Sequence, residues 1–157
     1  MMRSRRVNAV LVLVVVTLLT ASAASVDAMM SWSRGPQHQR ERTIWDSVYS
    51  AEQAERGDSA YKQLCARCHM ENLAGSDEAV ELTGSAFVGS WSGQSLADLH
   101  DRIRTSMPTD TPGVYGRQQI VDVMAYMLRC NGFPAGAAPL THESDVLREI
   151  RFLARRP

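Results

Sequence analysis

Only one lysine, Lys62, occurs in 157 residues, so a lysine ring for docking an acidic partner is absent. Charge of one sign is lacking too. The 17 Lys and Arg balance 17 Asp and Glu, which excludes the basic footprint of a nucleic-acid binder. Three cysteines are too few to staple a disulfide-dense mini-protein. No stretch alternates polar and apolar residues as a half-buried strand would, and no segment repeats. No glycine loop of the phosphate-binding type occurs, nor any nucleophile–base arrangement. After Leu19 there is no second long apolar run.

The apolar run that is present, Val7 to Leu19, follows Arg3, Arg5 and Arg6 and precedes small residues at 21–25. That is the layout of a secretory signal, and the core is short for a bilayer span. Residues 1–28 are read as a signal peptide, with cleavage after Ala23, Ala24 or Ala28. The alternative is an uncleaved N-terminal anchor, the one case in which the chain would meet a membrane. Removing 1–28 takes away three Arg and Asp27, leaving 14 basic and 16 acidic side chains. Residues 29–47 hold Gly35-Pro36 and no sustained period, and read as an extended leader.

The remainder, 48–153, predicts an all-α domain with a C-terminal helical extension. Ser50 and Gln53 form a capping-box pattern, and helix continues through Tyr61, Leu64 and Cys65. Gly57 lies inside that helix, where glycine costs about 1 kcal/mol against alanine. Residues 70–94 read as loop. A short helix from about Leu96 to Thr105 follows a Ser95 cap and ends before Met107-Pro108. The most amphipathic helix runs from about Arg117 to Asn131 and stops at Gly132. Thr141 is expected to cap a last short helix bearing Val146, Leu147 and Ile150.

Chemistry concentrates in Cys65-Ala66-Arg67-Cys68-His69. A zinc site needs a second ligand pair, which Cys130, His100 and His142 do not form at useful spacing. A thioredoxin-type redox site needs a βαβ setting, which is missing. C-x-x-C-H in an exported chain reads instead as covalent haem attachment, a thiol pair or metal site being the alternatives. On one helical turn both thiols and the imidazole share a face, so the thiols can add to haem vinyl groups while His69 takes the iron.

A sixth ligand is then sought among the methionines, because thioether opposite imidazole is an electron-transfer arrangement. Met70 adjoins the motif and cannot reach the other face. Met124 and Met127 sit where methionine usually fills core. Met107, 38 residues beyond His69 and next to Pro108, is the favoured ligand, with His100 as rival. Cys130, the leftover thiol, is expected to be buried in an apolar role.

The stretches 51–75, 89–108 and 116–136 resemble class I c-type cytochromes, particularly small periplasmic ones associated with quinoprotein (alcohol) dehydrogenases. The resemblance implies a helical sandwich around one haem c, with His69 and Met107 as axial ligands. It also implies that the first and last main helices cross at Gly57, packed by Tyr61 and Tyr126. Many relatives carry proline where this chain has Ser85, near the carbonyl that orients the proximal histidine. Trp91 is a candidate either to hydrogen-bond a haem propionate or to close the pocket, while Arg102 and Arg104 read first as a solvated helix face and second as propionate partners.

The function expected is a periplasmic one-electron carrier rather than an enzyme. The resemblance suggests electrons arrive from a quinoprotein dehydrogenase and leave to a terminal oxidase or second cytochrome. A tightly bound dehydrogenase subunit is one alternative. A haem enzyme or ligand sensor with an open sixth position is the other.

Overall fold

The computed structural model describes residues 41–157. The signal segment 1–28 and leader residues 29–40 lie outside the described residues. The described part is mostly helical, in the order β1 (Arg42–Thr43), α1 (Ala51–Leu64), α2 (Ala66–His69), α3 (Gly84–Trp91), α4 (Leu96–Ser106), α5 (Arg117–Cys130), α6 (Ser144–Arg148) and β2 (Ile150–Arg151). No helix among the described residues is long and apolar enough to cross a membrane.

Helix α1 starts where the sequence places it. The Ser50 hydroxyl accepts the Gln53 N–H at 3.2 Å, satisfying one orphan donor of the first turn. The reciprocal half of the capping box is not made. The Gln53 amide turns inward, donating to Asp122 at 3.0 Å and to the Leu140 carbonyl at 2.9 Å. A fully buried amide is therefore satisfied by two distant segments, and it pins 140 to the helix pair.

Helices α1 and α5 cross through Gly57. A Cβ there would overlap the Asp122 carbonyl oxygen and come within 2.9 Å of Tyr126 Cβ, so the two backbones touch. Beside the crossing, the Tyr61 and Tyr126 rings pack with centroids 5.2 Å apart. The Tyr61 hydroxyl donates to the Met70 carbonyl at 2.7 Å, tying α1 to the exit of the C-x-x-C-H turn.

Helix α4 carries a complete capping box. The Ser95 hydroxyl accepts from Asp98 N–H at 3.3 Å, and the Asp98 carboxylate accepts from Ser95 N–H at 2.8 Å. Helix α5 buries Ile120 through Leu128 and ends at Cys130, just before Gly132, whose φ of +79° suits glycine.

Three expectations change. Residues 84–91 are helix, not loop; their glycines and small residues hid a helix stabilised by burying Phe87 against the core. The last helix begins at Ser144 after a Glu143 cap, and the Thr141 hydroxyl instead accepts from Glu143 N–H in the turn before it. Two short strands exist, β1 pairing in parallel with β2, each too brief to show a period of two. Leader residues 41–47 are consequently not a free extension. Ile44 is fully buried, and the Trp45 indole N–H donates to the Leu153 carbonyl at 3.0 Å.

Candidate functional site

Cys65 closes α1 and opens the single turn α2. The N–H groups of Cys68 and His69 both donate to the Cys65 carbonyl, at 3.1 and 3.0 Å. This turn puts residues 65, 68 and 69 on one face, as i, i+3 and i+4 positions must be. All three line a cavity of about 1010 Å³, at the upper end of the roughly 300–1,000 Å³ usual for ligand sites. Its walls are apolar: Phe87 and Trp91 from α3, Leu99 and Ile103 from α4, Val123 and Met127 from α5.

The His69 ring is fixed by the backbone. Its Nδ1 lies 2.8 Å from the Val80 carbonyl oxygen. A carbonyl only accepts, so Nδ1 carries the proton and Nε2 keeps the lone pair that a metal would take. The loop that supplies this carbonyl is itself closed tightly. The Ser76 hydroxyl donates to the Cys68 carbonyl at 2.9 Å, and Ser76 N–H to the Ala79 carbonyl at 2.8 Å. Gly75 has φ +74°, and a Cβ there would sit 2.5 Å from the Ala79 oxygen, so only glycine fits the reversal. The orienting acceptor is thus at position 80. Ser85, the position singled out from the resemblance, lies in the first turn of α3 and lines a separate, shallower depression with Cys130.

Met107 reaches the same cavity from the end of α4, where its N–H donates to the Ile103 carbonyl at 3.0 Å. Two contacts hold its loop against the C-x-x-C-H turn. Arg67 pairs with Asp110 at 3.1 Å, and the Tyr115 hydroxyl donates to the Leu64 carbonyl at 3.0 Å. Arg67 draws the Asp110 carboxyl below its ordinary range, chiefly by hydrogen bonding to it.

The rivals part company here. Met124 is fully buried core away from the cavity lining, Met127 lines it from within α5, and Met70 is exposed. His100 is 1% exposed and is not among the lining residues; burial depresses its pKa and keeps the ring neutral. Arg102 lines the cavity, whereas Arg104 is engaged by Asp101 at 3.3 Å. Cys130 is exposed rather than buried, because α5 ends there at the surface.

Burial, then the nearby Cys68, pushes the Cys65 thiol up to about 11, so it stays protonated at neutral pH. Among the described residues no three His, Cys, Asp or Glu side chains converge as a metal cluster. A flat apolar group, held by two thiols and an imidazole at one edge with a thioether in reach, is what this donor set and these walls fit. Sequence reasoning named Trp91 but missed Val80, Tyr115 and Phe87. A backbone acceptor leaves no side-chain signature.

Residues 52–127 match the family described as cytochrome C oxidase, cbb3-type, subunit III. No curated protein sequence matches the chain. Among solved structures, a crystal structure of the sulfane dehydrogenase SoxCD from Paracoccus pantotrophus is similar at 20% identity, with a TM-score of 0.45, over 74% of this chain and 68% of that one. The helical fold, the C-x-x-C-H turn facing an apolar cavity and the family match agree: residues 52–127 are a cytochrome c family domain, which implies electron transfer by covalently bound haem c.

Proposed function

We propose that this protein is an exported, periplasmic monohaem electron carrier with His/Met axial ligation. In this reading Cys65 and Cys68 form the thioether links, His69 is the proximal ligand and Met107 the distal one. The observation that carries it is that all four line one cavity while the His69 ring is already oriented by the Val80 carbonyl. The haem supplies the one-electron couple. The chain's own work is to hold the imidazole in one tautomer, to present a neutral thioether and to exclude water with apolar walls. A thioether opposite imidazole raises the reduction potential, and a closed sixth position keeps small ligands out.

The donor and acceptor are redox proteins, and the resemblance favours a quinoprotein dehydrogenase upstream and a terminal oxidase or second cytochrome downstream. The arginine-led apolar segment at 7–19 supports export.

The test is the oxidised optical spectrum of the parent beside Met107→Ala and Met127→Ala. The weak long-wavelength sulfur-to-iron band should be present in the parent and in Met127→Ala, and absent in Met107→Ala. A parent without the band that binds carbon monoxide freely when reduced overturns the carrier reading in favour of an enzyme or sensor. Cys68→Ala should retain at most one thioether link by intact mass, and two links would refute the attachment assignment.

A further inference from the structure

Phe87 and Trp91 do more than line the cavity. They begin a file of aromatic rings that runs from the cavity wall through buried core to Trp45. Phe87 and Trp91 have centroids 6.4 Å apart, and Phe87 meets Phe152 at 6.0 Å. Phe152 meets Phe133 at 5.6 Å, and Phe133 meets Trp45 at 4.8 Å with the rings nearly perpendicular. Phe87, Phe133 and Phe152 are at most 5% exposed, so the file is dry until Trp45, which is half-buried. It begins at one readily oxidised indole on the cavity and ends at another at the surface.

Indole is the easiest of these rings to oxidise, and phenylalanine is not oxidised under such conditions. The three phenylalanines therefore serve as closely packed medium, and the two tryptophans as the sites where charge can rest. Trp45 is set up to lose an electron. Its indole N–H donates to the Leu153 carbonyl at 3.0 Å, which stabilises positive charge on the ring, and the ring is only half-buried, so water can reach it.

We propose that this file drains oxidising equivalents from the cavity to Trp45 when hydrogen peroxide gains entry. The inference rests on the haem assignment above. Peroxide takes two electrons and two protons and leaves two waters. The Trp45 indole, in two one-electron steps, gives up two electrons and two protons and takes one oxygen from water. The net reaction is one peroxide and one tryptophan giving one hydroxytryptophan and one water. Damage is thereby moved from the wall beside the ligands to a side chain that the electron-transfer site does not use.

The experiment treats the haem-loaded full chain with near-stoichiometric peroxide and measures added oxygen on the Trp45 and Trp91 peptides by mass spectrometry. Met107→Ala is included because it admits peroxide. Covalent haem is verified by intact mass beforehand. Its absence would overturn the haem assignment and this proposal together, whereas its presence with a silent Trp45 overturns the proposal alone. The expected result is oxygen on Trp45, increased several-fold in Met107→Ala. Adding Phe152→Leu should lower it several-fold and raise oxygen on Trp91. Equal Trp45 oxidation with and without Phe152→Leu refutes the file. Phe152 is fully buried and its variant is the one at risk of misfolding. Trp45→Phe provides the second arm: Trp91 oxidation and haem bleaching should both rise, and no change in either refutes the drain.

Discussion

Gly57→Ala is the substitution whose outcome the geometry dictates most directly. On propensity alone it should help, because alanine gains about 1 kcal/mol over glycine inside a helix. Tertiary packing reverses the sign. The new Cβ would overlap the Asp122 carbonyl oxygen and crowd Tyr126 Cβ at 2.9 Å, and the first of these is backbone that no rotamer change can move. Carbon–oxygen contact needs well over 3 Å, so α1 and α5 must part by more than about 1 Å along the crossing. Overpacking of a rigid contact costs about 1–3 kcal/mol and sometimes more. The same parting would stretch the bonds from Gln53 and Arg56 of α1 to Asp122, now 3.0 and 3.3 Å, adding about 1 kcal/mol each if lost. A net loss of about 3 kcal/mol follows, or roughly a 10 °C fall in Tm for a domain of this size. Thermal unfolding of the haem-loaded protein, followed by helical circular dichroism, measures it. A Tm equal to or above the parent's would refute the close crossing.

Three further outcomes follow from contacts already described. In the haem-free chain at pH 8, only about one Cys65 thiol in a thousand is ionised when its pKa is about 11, so exposed Cys130 should be alkylated well ahead of it. Cys65 labelling should then climb about tenfold per pH unit until pH 11, and fast labelling at pH 8 would contradict its burial. Asp110→Asn removes the Arg67 clasp from the Met107 loop. An exposed pair is worth little, so imidazole binding to the oxidised protein should tighten by no more than about fivefold, and high salt should do the same to the parent. Ser95→Ala should cost about 1 kcal/mol in urea unfolding. The Ser95 bonds hold Asp98 below the usual carboxylate range, so their contribution is present above about pH 4 and fades as pH falls through and below it. A cost in Ser95→Ala that does not shrink in acid would show that the Ser95–Asp98 bonds do not carry it.

The helices that bury a wide apolar stripe were readable, as α5 shows, because a period of 3.6 survives in the residue order. So was the C-x-x-C-H turn, whose spacing is set by one turn of helix. Helix α3 was not, since its stability comes from Phe87 meeting Phe152, a partner 65 residues away, rather than from propensity. The 41–47 segment was misread for the same reason. Ile44 and Trp45 look like leader residues until the C-terminal strand is seen to cover them. Gln53 was placed correctly as a helix starter, but its amide serves Asp122 and Leu140, a choice made by burial and not by local sequence.

The Val80 carbonyl sets the state of the His69 ring, yet no side-chain replacement at 80 can delete it. Residue 80 is 73% exposed and is therefore nearly free to drift. The imidazole is thus buffered against point mutation of its own partner, and is sensitive instead to changes in loop length or to loss of Gly75. A single-atom edit of the backbone, an ester in place of the 80–81 amide, would weaken the acceptor while leaving every side chain in place. Such a variant would read the contribution of one hydrogen bond directly as a change in midpoint potential.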